Sequence, residues 1–118
     1  MPQALRGLGW AIRTHHEVFG DRDEQIRDVE WLELCGRENL PALSKDRRLR
    51  YRPAEIEAIR SFRVRAFVLT AGSLSAPEQS ARFDRSRVRI EEACLETGPF
   101  IYAVYANRVV RIFPPPGL

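Results

Sequence analysis

Apolar residues recur along this chain in two rhythms, every third or fourth position and every second position, and the changes between them mark out its elements. Ile26, Val29, Leu32 and Cys35 stand three apart, which places them on one face of a helix spanning about residues 24–38 and entered through Asp21 and Asp23. Leu40 to Ser44 is a short apolar run behind a turn, the form of a buried strand. Pro53 suits the first turn of a helix that carries Ile56, Ile59 and Phe62 inward. Val64 to Thr70, with Ala66-Phe67-Val68-Leu69 at its centre, is the clearest buried strand.

Ser75-Ala76-Pro77-Glu78 reads as a capping box, and the helix it opens is expected to run to about Glu96. Phe100 to Tyr105 and Arg108 to Phe113 alternate about Ala106-Asn107, which predicts a hairpin. At the start, residues 3–9 read as a short helical segment closed by Gly7 and Gly9. Trp10 to Thr14 then alternates like a strand, before a loop from His15 to Arg22. Pro114-Pro115-Pro116 ends the ordered structure, leaving residues 114–118 as a proline-rich tail.

Strands alternating with helices predict an α/β fold with a mostly parallel sheet covered on both faces and an antiparallel edge from the terminal hairpin. The length of 118 residues suits one core and therefore a single domain over 1–118. No apolar run approaches the roughly 18 residues that cross a bilayer, and Met1 to Arg6 lacks the apolar stretch of a secretory signal. Cys35 and Cys94 have no metal-ligand spacing and read as buried free thiols in a reducing compartment. These features place the chain in the cytoplasm, with no membrane partner. The net charge of +3 comes with 18 arginines and a single lysine, Lys45. That balance suits a nucleic acid or an acidic protein as partner without requiring either.

In such sheets ligands bind beyond the carboxyl ends of the strands. A helix that follows a strand begins at that edge, which places Asp23, Glu24 and Asp28 there. Asp46 directly follows the strand at 40–44, and Thr70 and Ser73 follow the next one. Asp28 shares a helical face with Leu32 and Cys35, at spacings of four and seven, whereas Glu30 projects sideways. Carboxylates gathered from separate elements are what an oxygen-preferring Mg²⁺ or Mn²⁺ needs. Equally, acidic residues at helix starts serve as caps, and an Asp after a strand forms turns.

The segment from Lys45 through Asp46, Arg47, Arg48, Leu49, Arg50 and Tyr51 to Arg52 has two readings. Its cations could hold a phosphate backbone and Tyr51 could stack on an unpaired base, or it is a solvated loop. His15-His16-Glu17 lacks a third ligand at metal spacing. Ser73 and the cysteines show no nucleophile pattern, and no glycine-rich phosphate loop is present.

Gly9-Trp10, then Asp28-Val29-Glu30-Trp31-Leu32, then the run from Leu43 to Glu55 with its Lys-Asp-Arg-Arg and Tyr-Arg-Pro blocks, resemble the PIN-like domains grouped with VapC-type toxins. Phe67 to Leu74 and Gly98-Pro99-Phe100-Ile101 continue the likeness in order, so that it covers nearly the whole chain. The resemblance implies a three-layer α/β/α fold and a metal-dependent endoribonuclease, the toxin of a type II toxin–antitoxin pair.

By that analogy Asp46, Asp28 and, less directly, Glu30 are the catalytic acids. Asp46 and Asp28 would hold the Mg²⁺ or Mn²⁺ that activates water for attack on an RNA phosphodiester. Lys45, Arg47, Arg48, Arg50, Tyr51 and Arg52 would grip the RNA. A cognate antitoxin would cover the acidic edge, and a homodimer is compatible with the family. The family opens with a strand of roughly 5–6 residues ending in an aspartate, ahead of the segment matching Pro2 to Arg6. The resemblance therefore expects that strand and its ligand to be missing from a chain beginning at Met1. Two accounts follow: a start site placed too late, or a shortened relative that is a catalytically inactive module binding RNA or antitoxin.

Overall fold

A computed structural model describes residues 28–45, 51–71 and 74–114. The predicted helix at 3–9 and strand at Trp10 to Thr14 lie outside these described residues, as does the start of the predicted helix at 24–38.

The first described element is α1, Asp28–Arg37, followed by β1, Ala42–Ser44. Leu32 and Cys35 of α1 are buried as their spacing predicts. The helix closes with Asn39 in the left-handed region at φ 56. There the Leu40 N–H donates to the Cys35 carbonyl at 2.8 Å, and the Asn39 N–H to the Gly36 carbonyl at 3.3 Å. This pair of bonds satisfies carbonyls that the end of the helix would otherwise leave open.

The second helix, α2, runs Pro53–Phe62 with proline in its first turn, and leads into β2, Arg65–Leu69. It ends in the same way. Arg63 takes φ 56, and the Val64 N–H reaches the Ile59 carbonyl at 3.0 Å. Two helix-to-strand turns of one geometry thus feed two parallel strands.

The capping box forms as predicted, with the Glu78 N–H donating to the Ser75 hydroxyl oxygen at 3.3 Å. The helix it opens is not continuous to Glu96. It divides into α3, Ala76–Arg85, and α4, Arg87–Ala93, at Ser86, whose φ of −98 and ψ of 10 leave the helical region. Serine competes for backbone hydrogen bonds and is a weak helix former, a signal the apolar spacing across the break conceals. The predicted hairpin is present as β3, Phe100–Val104, and β4, Val109–Phe113. The Tyr105 N–H donates to the Arg108 carbonyl at 2.8 Å across its turn.

Among the described residues the strands form one sheet in the order β1-β2-β3-β4, parallel except for β4. Ser44 stands opposite Val68, and Leu69 opposite Val104. The pairing of β3 with β4 shifts register between Ile101 and Tyr102, where Ile112 is the extra residue on β4.

Alternation along β2 and β3 divides the core between the two faces. Ala66, Val68 and Ile101 join Leu32, Cys35, Ala58 and Ile59 beneath α1 and α2. Phe67, Leu69, Phe100, Tyr102 and Val104 join Phe83, Ile90 and Ala93 beneath α3 and α4. Phe100 meets Phe67 and Tyr102 edge-on at 5.6 and 5.0 Å between ring centroids, while Phe67 and Tyr102 stack at 5.8 Å. The outcome is the three-layer α/β/α architecture that the sequence predicts. No helix of the described residues is long and apolar enough to cross a membrane.

Candidate functional site

Because β1, β2 and β3 are parallel, their carboxyl ends meet at one edge of the sheet. Helices α1 and α2 each end beside the start of the next strand, so both begin at that edge, and α3 begins there after β2. The sequence-predicted residues can be placed accordingly. Asp28 opens α1, with Glu30 half-buried in the same first turn. Lys45 directly follows β1 and is exposed. Tyr51, 68% exposed, and Arg52 lead into α2. Thr70 follows β2, and its hydroxyl donates to the Val104 carbonyl at 3.5 Å. The fold thus gathers Asp28, Glu30, Lys45, Tyr51, Arg52 and Thr70 at one edge, as strand-and-helix alternation anticipates.

Asp46, Arg47, Arg48 and Arg50 lie outside the described residues, as do His15, His16, Glu17 and Ser73. So does the side chain of Asp28, whose place on α1 is set by backbone alone. Among the described residues no three His, Cys, Asp or Glu side chains come together closely enough to hold a metal ion. The donors that sequence and topology bring to the edge are carboxylates, the hard oxygen ligands that Mg²⁺ and Mn²⁺ prefer.

Glu55 is a feature that sequence reasoning passed over. Pro53 at the first helical position places Glu55 in the first turn of α2, where it is buried to 9% exposure. The Arg52 guanidinium approaches its carboxylate at 3.5 Å, partly balancing a charge that burial would otherwise penalise. Its helix-start position was legible; its burial was not, because polar side chains carry no periodic signature.

The second missed feature lies at the other side of the same edge. Tyr105 follows β3, and the Arg108 guanidinium lies over its ring, 4.6 Å from the centroid. The hairpin was predicted, but the direction of β3 relative to β1, which places its turn at this edge, becomes definite only in the sheet.

The cysteines lie away from this edge, Cys35 near the end of α1 and Cys94 directly after α4. Burial, with Glu38 adding to it, pushes the Cys35 thiol up to about 11. Burial also raises that of Cys94, which is half-buried rather than buried as expected, with Arg65 opposing the shift. Raised in this way, both thiols favour the neutral form, which is a poor nucleophile.

Comparison with known proteins adds two findings. A family model described as a PIN like domain matches residues 1–71. That span includes Asp28, Asp46 and the whole basic loop. A curated protein of Mycobacterium tuberculosis (strain ATCC 25618 / H37Rv), named "Putative ribonuclease VapC45", is 27% identical over 113 residues. The alignment covers 95% of this chain and 82% of that protein. No solved structure matches.

Proposed function

This chain belongs to the PIN-like domain family, and on that premise we propose that it is a metal-dependent endoribonuclease, the toxin of a toxin–antitoxin pair. The observation that carries the proposal is the convergence on one sheet edge of the start of α1, at Asp28, with the end of β1, where Lys45 leads into Asp46. The name of the mycobacterial relative supports the ribonuclease activity.

In this reading Asp46 and Asp28 hold Mg²⁺ or Mn²⁺, with Glu30 assisting. An ion held there would supply an activated water and neutralise charge developing on the phosphodiester. Lys45, Arg47, Arg48, Arg50 and Arg52 bind the RNA backbone. The exposure of Tyr51 suits a stacking contact with an unpaired base. The chain acts as one domain in the cytoplasm, alone or as a homodimer. A cognate antitoxin inhibits it by covering the same edge.

The test is cleavage of single-stranded and structured RNA by the purified chain with Mn²⁺, with Mg²⁺ and with chelator. Metal-dependent cleavage that Asp46→Asn abolishes is the expected result. Full activity in that variant would overturn the assignment of Asp46. Salt-sensitive RNA binding with no metal-dependent cleavage would instead identify an inactive RNA-binding member of the family.

A further inference from the structure

We propose that Tyr105 and Arg108 form a stacking platform for a base of single-stranded RNA, at the carboxyl edge of the sheet on the far side of β2 from Lys45. The proposal rests on the ribonuclease reading above and adds a substrate contact to it. The pair lies beyond residues 1–71, to which the family match is confined, so the match assigns it nothing.

Its position follows from register. Leu69 stands opposite Val104, so Tyr105 is level with Thr70, and the Thr70 hydroxyl bonds the Val104 carbonyl immediately before it. Neighbouring strands lie about 4.8 Å apart, which separates the ends of β1 and β3 by roughly 10 Å. A strand of RNA held at the Lys45 side could extend to the hairpin without leaving the edge.

The chemistry follows from the side chains. Among the described residues this cation–ring contact, at 4.6 Å, is shorter than those of Arg37 on Phe62 and Arg60 on Phe113, each 5.9 Å, and of Arg89 on Tyr102, 5.1 Å. Phe62 and Phe113 lie toward the opposite edge, and Tyr102 is buried in the core. Arg108 is exposed. Arg52, Arg82, Arg85 and Arg87 each meet a glutamate, but no carboxylate among the described residues pairs with Arg108.

With its carbon 4.6 Å from the ring centroid, the Arg108 guanidinium sets a flat cationic group, with N–H donors at its own rim, beside the aromatic face. Unpaired bases stack on aromatic rings and on arginine planes, and the rim donors suit a neighbouring phosphate. The Tyr105 N–H to Arg108 carbonyl bond fixes the turn, so little freedom is lost on binding. Duplex RNA, whose bases are already stacked on one another, gains nothing from such a platform.

The experiment measures binding of a short single-stranded RNA containing a fluorescent adenine analogue to the full chain, with chelator present to prevent cleavage. Stacking quenches the analogue. Tyr105→Leu and Arg108→Lys should each weaken binding by roughly tenfold and reduce the quench, whereas Tyr105→Trp should preserve both. Arg108→Lys keeps the charge, so the salt dependence should stay as in the wild type. If Arg108→Lys binds and quenches like the wild type, the contact is electrostatic and the platform is refuted. Unchanged binding by Tyr105→Leu refutes it as well. A wild-type chain that binds no RNA at low salt overturns the ribonuclease reading itself, which separates the two failures.

Discussion

The two edges of this sheet are made from the same strands and differ in almost everything else. At the amino edge Arg65 reaches from β2 to the Cys94 carbonyl behind α4, and to the Asn39 carbonyl and side-chain oxygen at 2.9 and 3.3 Å. Beside it α1 and α2 close so tightly that a Cβ on Gly36 would stand 2.3 Å from the Phe62 carbonyl oxygen. A Cβ on Gly98 would stand 2.5 Å from that of Arg63. The carboxyl edge instead presents Lys45, Tyr51, Thr70, Tyr105 and Arg108, exposed or half-buried. One edge uses its polar groups to tie the chain together. The other carries its polar groups at the surface, exposed or half-buried.

This division can be broken at either end, and the effects should differ in kind. The largest is expected at the carboxyl edge, where Asp46→Asn should remove RNA cleavage while leaving the thermal midpoint near that of the wild type. A large fall in the midpoint would mean that Asp46 also carries structure. At the amino edge, Arg65→Met should lower stability by about 1.5–3 kcal/mol, because charge-assisted bonds to carbonyls are lost together. Cleavage per folded molecule should not change, and urea denaturation alongside the RNA assay would show both.

Gly36→Ala should be milder. Alanine gains about 1 kcal/mol of helix propensity, but overpacking costs about 1–3 kcal/mol. Since the obstructing atoms include the Phe62 backbone, the steric term should prevail, and a stabilised variant would show that α1 can move away from α2. The smallest effect has the opposite sign. Arg63 occupies a left-handed position that costs a non-glycine residue about 1–2 kcal/mol, while glycine adds about 0.4–1 kcal/mol of unfolded-state freedom. Arg63→Gly should therefore raise the urea midpoint slightly, and a fall would mean that the arginine side chain supports this edge.

The contrast between the edges also explains what was legible in the sequence. Burial follows periodicity, so Leu32, Ile59 and Phe67 were readable, and those limits of their elements that fall among the described residues appear within a few residues of the predicted ones. Alternation of strands and helices was enough to bring Asp28, Lys45 and Thr70 to one edge. The break at Ser86 was hidden because Phe83 and Ile90 are seven apart and share a face whether or not the helix bends there. The Arg65 bonds span 26 and 29 residues to backbone acceptors, and backbone acceptors leave no mark on residue identity. Glu55 and the Tyr105–Arg108 pair escaped for a related reason, since each acquires its setting from a neighbour that no local spacing reveals.

The place of β3 in the sheet bears on the order in which the chain is made. It lies between β2 and β4, and its Phe100 and Tyr102 supply ring partners for Phe67. On the ribosome, α1 through α4 emerge before it, and through that interval β2 lacks a neighbour on one side. Apolar surface that waits in this way for a late strand is where nascent chains aggregate or engage chaperones. The sheet closes only when the hairpin arrives, so its carboxyl edge is completed late in synthesis.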